Sequence, residues 1–195
     1  SIPPAPTKMK KRVFIIHGWS GTPGEHWLPW LQGELEKLGY RVFVPQMSNH
    51  DNPVIENWVS HLAEIVGTPD SETYFVGHSI GCQTILRYLE NIDTKVGGAV
   101  FVSGWFNLDN METEEEKEIA KPWIEKFIDL EKIKKVLPKS MLIISDNDPY
   151  DCFEENKKKF SELGSRVVVL HNAGHITEDD GYTELPEALA GFENL

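Results

Sequence analysis

The sequence predicts an α/β fold, a mostly parallel sheet of six strands with helices on both faces. Three observations predict it. Short apolar, β-branched runs alternate with amphipathic runs from end to end, and that rhythm gives a parallel sheet covered on both sides. The chain has 195 residues, 40% of them hydrophobic and 26% charged, which suits one domain with a sizeable core. At Gly77-His78-Ser79-Ile80-Gly81 a strand passes into a helix with no loop between them.

The elements follow in order. Arg12–Ile16 is a short apolar run and reads as a buried strand. Glu25–Leu38 carries Leu28, Leu31, Leu35 and Leu38 at helical spacing, and Gly39 stops it. Arg41–Val44 is the second strand, closed by Pro45. Val54–Val66 is a helix with Ile55, Trp58, Val59, Leu62 and Ile65 on one side. Thr73–Val76 is the third strand, Ile80–Glu90 the third helix and Gly98–Ser103 the fourth strand. The rhythm breaks between Gly104 and Pro138, where an acidic then helical stretch contains Pro122, the mark of a bend or a new helix start. Ser140–Ser145 is the fifth strand, Cys152–Leu163 a helix stopped by Gly164, Arg166–Leu170 the sixth strand and Tyr182–Phe192 the last helix. Residues 1–11, with three prolines, read as a flexible tail, and residues 12–195 as one domain.

Bulk composition narrows the function. A net charge of −12 repels phosphate backbones and anionic lipid, so nucleic-acid and membrane partners are not expected. No apolar run approaches the ~20 residues of a membrane span. Two cysteines, Cys82 and Cys152, give no disulfide framework and fit a reducing, cytoplasmic compartment. A monomer or weak dimer is expected, with no metal and no cofactor.

Right-handed crossovers bring all the strand C-termini to one edge, where such sheets bind ligands. Gly77-x-Ser79-x-Gly81 lies at that edge. A sharp strand-to-helix turn holds its central serine in a strained conformation, and the flanking glycines let neighbouring backbone pass. The helix beginning there directs free N–H groups and its positive dipole end at the same spot. A serine hydroxyl is a weak nucleophile and needs a base. In this architecture the acid and then the histidine come later in the chain, each on a loop after a strand. The sixth strand is followed by "HNAGH", where His175 is the natural base; its competitor, His171, abuts the strand and is expected to pack against the sheet. The fifth strand ends in "SDNDPYD". There Asp148, before Pro149, is preferred as the carboxylate that orients the imidazole, with Asp146 the alternative. In the loop after the first strand, "HGWSGTPGEHW", the Trp19 N–H pairs with that of Ile80 as oxyanion donor, and Gly18 lets the backbone come close to the nucleophile. His17 orders this loop by hydrogen bonds, and His26 orders it or lines the site mouth.

These residues give the chain a resemblance. "VFIIHGWSG", "EHWLPWLQGELEKLGY", "YFVGHSIGCQTILRYLE", "VFVSGW", "SDNDPYD" and "NAGH" resemble the α/β-hydrolase superfamily, and more narrowly the small single-domain serine hydrolases typified by retinoblastoma-binding protein nine and its bacterial relatives. The resemblance implies the α/β-hydrolase fold with sheet order 2-1-3-4-5-6 and no large cap domain. It also implies Ser79 as nucleophile, Asp148 as acid and His175 as base. No Leu-x-Cys-x-Glu stretch is present, so a retinoblastoma partner is not carried over.

The expected activity is hydrolysis of a small ester, thioester or amide by a Ser-His-Asp acyl-enzyme mechanism, of carboxylesterase type. The expected pocket is aromatic, drawn from His17, Gly18, His78, Trp105, Phe106, Phe153 and Ile176. Segment 107–135 is a candidate small lid. Cys82, just inside the third helix, reads as a small core residue. The rival in another class is a binding protein on a hydrolase scaffold with little or no turnover.

Overall fold

The computed structural model describes residues 1–2 and 11–195. Most of the expected tail, residues 3–10, lies outside the described residues. The strands are β1 (Arg12–Ile16), β2 (Arg41–Phe43), β3 (Thr73–His78), β4 (Gly98–Val102), β5 (Ser140–Ser145) and β6 (Arg166–Leu170). The helices are α1 (Leu28–Lys37), α2 (Ile55–Val66), α3 (Ile80–Leu89), α4 (Glu114–Glu125), α5 (Leu130–Lys134), α6 (Phe153–Leu163) and α7 (Pro186–Glu193), with a 3₁₀ turn at Glu178–Asp180. The strands form one sheet in the order β2-β1-β3-β4-β5-β6, and every neighbouring pair is parallel.

The pleat divides the core into two layers. Phe14, Phe75, Phe101 and Leu142 face one side, with Trp58 and Leu62 of α2 and Ile85 and Leu86 of α3. Val13, Ile15, Val76, Val100 and Ile143 face the other, with Leu31 and Leu35 of α1 and Phe192 of α7. Consecutive strand residues alternate between the layers because side chains alternate across a pleated strand. Both layers are apolar, so the strands read as continuous hydrophobic runs.

Several boundaries differ from the expected ones, and those of three helices have a local reason. Helix α1 begins at Leu28 rather than Glu25. The Glu25 carboxylate accepts the Thr22 N–H at 2.9 Å and His26 sits at φ 54°, so the loop persists until Pro29 enters the first helical turn. Strand β2 stops at Phe43, one residue short of Val44. Strand β3 continues through Gly77 and His78, which pair with Phe101 and Val102 of β4. Helix α6 starts at Phe153 because Cys152 is left-handed at φ 60°. Helix α7 waits for Pro186, since Thr177 and Asp180 cap each other around the 3₁₀ turn first.

Pro122 neither bends the chain into a new helix nor starts one. It lies near the end of α4, where its missing N–H costs one backbone bond. Thr113 caps that helix, accepting the Glu116 N–H at 3.1 Å. At the other end, buried Arg87 donates to the carbonyls of Trp123 (3.0 Å) and Lys126 (2.9 Å). Gln83 donates to the same Trp123 carbonyl. Carbonyls of the last turn have no intrahelical donor, and a buried cation there suits the dipole. Helix α4 is thus clasped to α3 at its C-terminal end, and Glu115, Glu116 and Ile119 of its N-terminal half share a cavity with Ser79.

Candidate active site

Ser79 stands between β3 and α3 with φ 56° and ψ −120°. A non-glycine residue there is strained by about 1–3 kcal/mol, which the surrounding structure must offset. The flanking glycines make the turn geometrically feasible. A Cβ on Gly81 would collide with the carbonyl oxygens of Ile16 and His17, and one on Gly77 would lie 2.8 Å from the Cys82 nitrogen. The Ser79 N–H is tied to the Val102 carbonyl at 2.9 Å, which pins the turn to β4. At Gly18 the crowding is milder: a Cβ would meet Ser79 Cβ at 3.5 Å, ordinary contact, so the loop's approach does not require glycine there.

The structure brings the three sequence-predicted side chains into one line. Ser79 Oγ lies 2.9 Å from His175 Nε2. His175 Nδ1 lies 2.7 Å from Asp148 Oδ2, and both side chains are nearly buried. The other Asp148 oxygen accepts the Tyr150 N–H at 3.0 Å, which fixes the carboxylate plane. Asp146 is occupied elsewhere. It accepts from the Asn172 N–H at 2.9 Å and lies 2.6 Å from His171 Nδ1. His171 therefore does not pack against the sheet as expected; its side chain is exposed. The Asn172 N–H and His171 together hold Asp146 below the usual carboxylate range.

Two loops must meet for this geometry, and specific bonds join them. Ser145 Oγ accepts the Ala173 N–H, and Asn147 Oδ1 accepts the Gly174 N–H. Asp180 Oδ2 accepts the N–H of His175, the N–H of Thr177 and the Thr177 hydroxyl. A Cβ on Gly174, at φ 61°, would strike that same carboxylate. The His175 carbonyl lies 2.9 Å from both His78 Nε2 and Ser103 Oγ. Burial, and then the neighbouring His175, push His78 well below the ordinary histidine range. His78 is thus neutral, and its Nε2–H is the donor to this carbonyl.

A cavity of about 530 Å³ opens over the serine. Of the expected pocket residues, Gly18, His78 and Trp105 line it, as does Trp19, the expected oxyanion donor. Trp105 does more than line it: its indole Nε1–H donates to Ser79 Oγ at 3.2 Å. Four expected residues do not face the cavity. His17 is fully buried beneath the loop, with Nδ1 2.7 Å from the Gly18 carbonyl and Nε2 accepting the Met47 N–H. Burial lowers its pKa, so it too is neutral. Phe106 is turned onto the ring of Phe160 because the Asn156 side chain captures the Phe106 and Asn107 N–H groups. Phe153 packs on the core layer with Phe101 and Phe160. Ile176 has φ 57° and points into the opposite layer, fully buried, while its carbonyl accepts the Trp27 indole N–H.

Other lining residues were not among the expected pocket residues, though Glu115 and Glu116 belong to the segment expected as a small lid. Tyr150 stands with its ring 5.1 Å from that of His175. Leu108, Met111, Glu115, Glu116 and Ile119 reach the cavity from α4 and the loop before it. The spacing of Glu115, Glu116 and Ile119 puts them on one helix face. His26, expected to order its loop or line the site mouth, lines the cavity and accepts the Glu178 N–H at 2.9 Å. Cys82 is fully buried, and burial raises its thiol pKa, which keeps it an inert thiol in the core. Among the described residues no helix is long and apolar enough to cross a membrane.

Comparison with known proteins gives the family and the fold. A family model described as serine hydrolase matches residues 13–194. YdeN of Bacillus subtilis (strain 168) is 31% identical over 181 residues, spanning 91% of this chain and 92% of the relative. The crystal structure of the ydeN gene product superposes with a TM-score of 0.85 at 28% identity, over 95% of this chain and 100% of that one. Est1E from Butyrivibrio proteoclasticus, solved with ferulic acid bound, shares the fold at 15% identity and a TM-score of 0.69, over 89% of this chain and 84% of that one. The chain therefore belongs to the serine hydrolase family and carries the α/β-hydrolase fold.

Proposed function

We propose that this hydrolase cleaves a small ester, thioester or amide through an acyl-enzyme on Ser79. The observation that carries the reading is the continuous line from Ser79 Oγ to His175 Nε2 (2.9 Å) and from His175 Nδ1 to Asp148 (2.7 Å). With Nδ1–H held by the carboxylate, Nε2 is free to accept the serine proton as the oxygen attacks the carbonyl carbon. The carbonyl electrons move onto oxygen, and the N–H groups of Trp19 and Ile80 receive that oxyanion. Neither N–H is engaged in a loop or cap hydrogen bond among the described residues. Imidazolium then passes its proton to the leaving group. Water, deprotonated by His175 in turn, attacks the acyl-enzyme and restores the serine.

A carboxylesterase-type reaction fits the open cavity best. The Ser79→Ala variant should lose about 10⁴-fold or more of kcat on p-nitrophenyl acetate. Near-wild-type turnover by that variant would refute the proposal. Labelling by a fluorophosphonate without turnover on a broad ester panel would favour a binding role on a hydrolase scaffold.

A further inference from the structure

The cavity over Ser79 is lined by four acidic residues, Glu25, Asp51, Glu115 and Glu116, by His26, His78 and His175, and by no lysine or arginine among the described residues. The basic residue nearest them in sequence on α4, Lys117, is turned away to Glu114 at 3.0 Å. Two of the four carboxylates are held in place. Glu25 accepts the Thr22 N–H at 2.9 Å and Glu116 accepts the Glu112 N–H at 3.0 Å. Amide donors orient a carboxylate without cancelling its charge, and the other Glu25 oxygen lies 3.6 Å from His26 Nε2. The Asp51 carboxylate lies 3.5 Å from His50 Nε2 and is largely exposed.

An independent feature is aromatic. Trp19, Trp105 and Tyr150 share this cavity, and the Trp19 indole N–H is anchored to the Asp51 carbonyl at 3.1 Å, beside one of the acids. Aromatic faces next to carboxylates form the environment that ammonium groups prefer. The chemistry at Ser79 makes the arrangement costly otherwise. A tetrahedral oxyanion would develop within a field of like charge, and that field opposes it. A substrate bringing its own positive charge offsets this field, whereas an anionic one adds to it.

We infer that the substrate of this site carries a positive charge, as an ester, thioester or amide bearing a primary or quaternary ammonium within reach of the cavity. The inference rests on the acyl-hydrolase reading above. It is tested with matched pairs that differ in charge and little in shape. Acetylcholine against 3,3-dimethylbutyl acetate places the charge on the leaving group. An amino-acid methyl ester against its des-amino analogue places it on the acyl side. Each compound is measured as a substrate by kcat/KM and as a competitor of p-nitrophenyl acetate by Ki, in low and high salt.

In at least one pair the charged member should be favoured by roughly ten-fold in low salt. The preference should shrink several-fold in 0.5 M salt, because exposed charges are screened over a few ångströms there. Glu115→Gln combined with Asp51→Asn should lower the charged-to-neutral ratio further; both side chains are exposed. Neutral members equal to or better than charged ones in both pairs would overturn the inference while leaving the hydrolase reading intact. Failure to turn over p-nitrophenyl acetate, with no fluorophosphonate adduct, would overturn the hydrolase reading and this inference with it.

Discussion

Ser79 Oγ has two neighbours, and each sets a different property. His175 Nε2 removes its proton, while the Trp105 indole N–H, at 3.2 Å, favours any negative charge left on the oxygen and fixes its rotamer. Replacing Trp105 by Phe keeps most of the ring and deletes this donor. A hydrogen bond to a developing charge contributes about 1–1.5 kcal/mol, so Trp105→Phe should lower kcat on p-nitrophenyl acetate by roughly 5- to 10-fold with KM little changed. An unchanged kcat would show that the contact is packing alone. The sequence placed Trp105 at the site but could not show this bond, which depends on the loop after β4 being held by Asn156 from α6. Ile176 teaches the same point in reverse. It adjoins His175 in sequence, yet a left-handed backbone sends its side chain into the opposite core layer.

At the scale of elements, catalytic geometry depends on the loops after β5 and β6 arriving together. Asp180 gathers three donors around His175 and Thr177 with one oxygen. Asp180→Ala should release the His175 backbone and lower kcat by about ten-fold or more, since small displacements of a catalytic group are costly. Asp180→Asn, which keeps an acceptor, should recover part of the loss. Equal activity of the wild type and Asp180→Ala would mean that Ser145, Asn147 and His78 suffice to hold the loop. The strands, the elbow and the Gly-His loop were legible because each is a contiguous pattern. The face that α4 turns to the cavity was not. Its placement rests on Arg87 and Gln83 meeting the Trp123 carbonyl, a contact between distant segments that no local pattern announces. His171 was misread for a similar reason: its partner, Asp146, comes from the neighbouring strand's loop.

At the scale of the molecule, the parallel sheet separates two apolar layers and gathers the polar chemistry at one edge. Two neutral histidines, His17 and His78, are buried at that edge, with their pKa values lowered mainly by burial. In the unfolded chain each would titrate near 6.5. Their contribution is fully present above that value. As pH falls below it, the unfolded state binds protons that the folded state does not, so stability declines, by up to about 1.4 kcal/mol per pH unit for each histidine. For a chain of this size the melting temperature should drop by several degrees between pH 7 and pH 5.5. A flat profile across that range would contradict the neutral, buried state of both rings.

The most direct test of the central claim is the location of the adduct formed by a fluorophosphonate, read by peptide mass spectrometry. The expected result is one phosphonylated residue, Ser79, with labelling absent in Ser79→Ala and strongly slowed in His175→Ala. An adduct on any other residue, or undiminished labelling of Ser79→Ala, would contradict it.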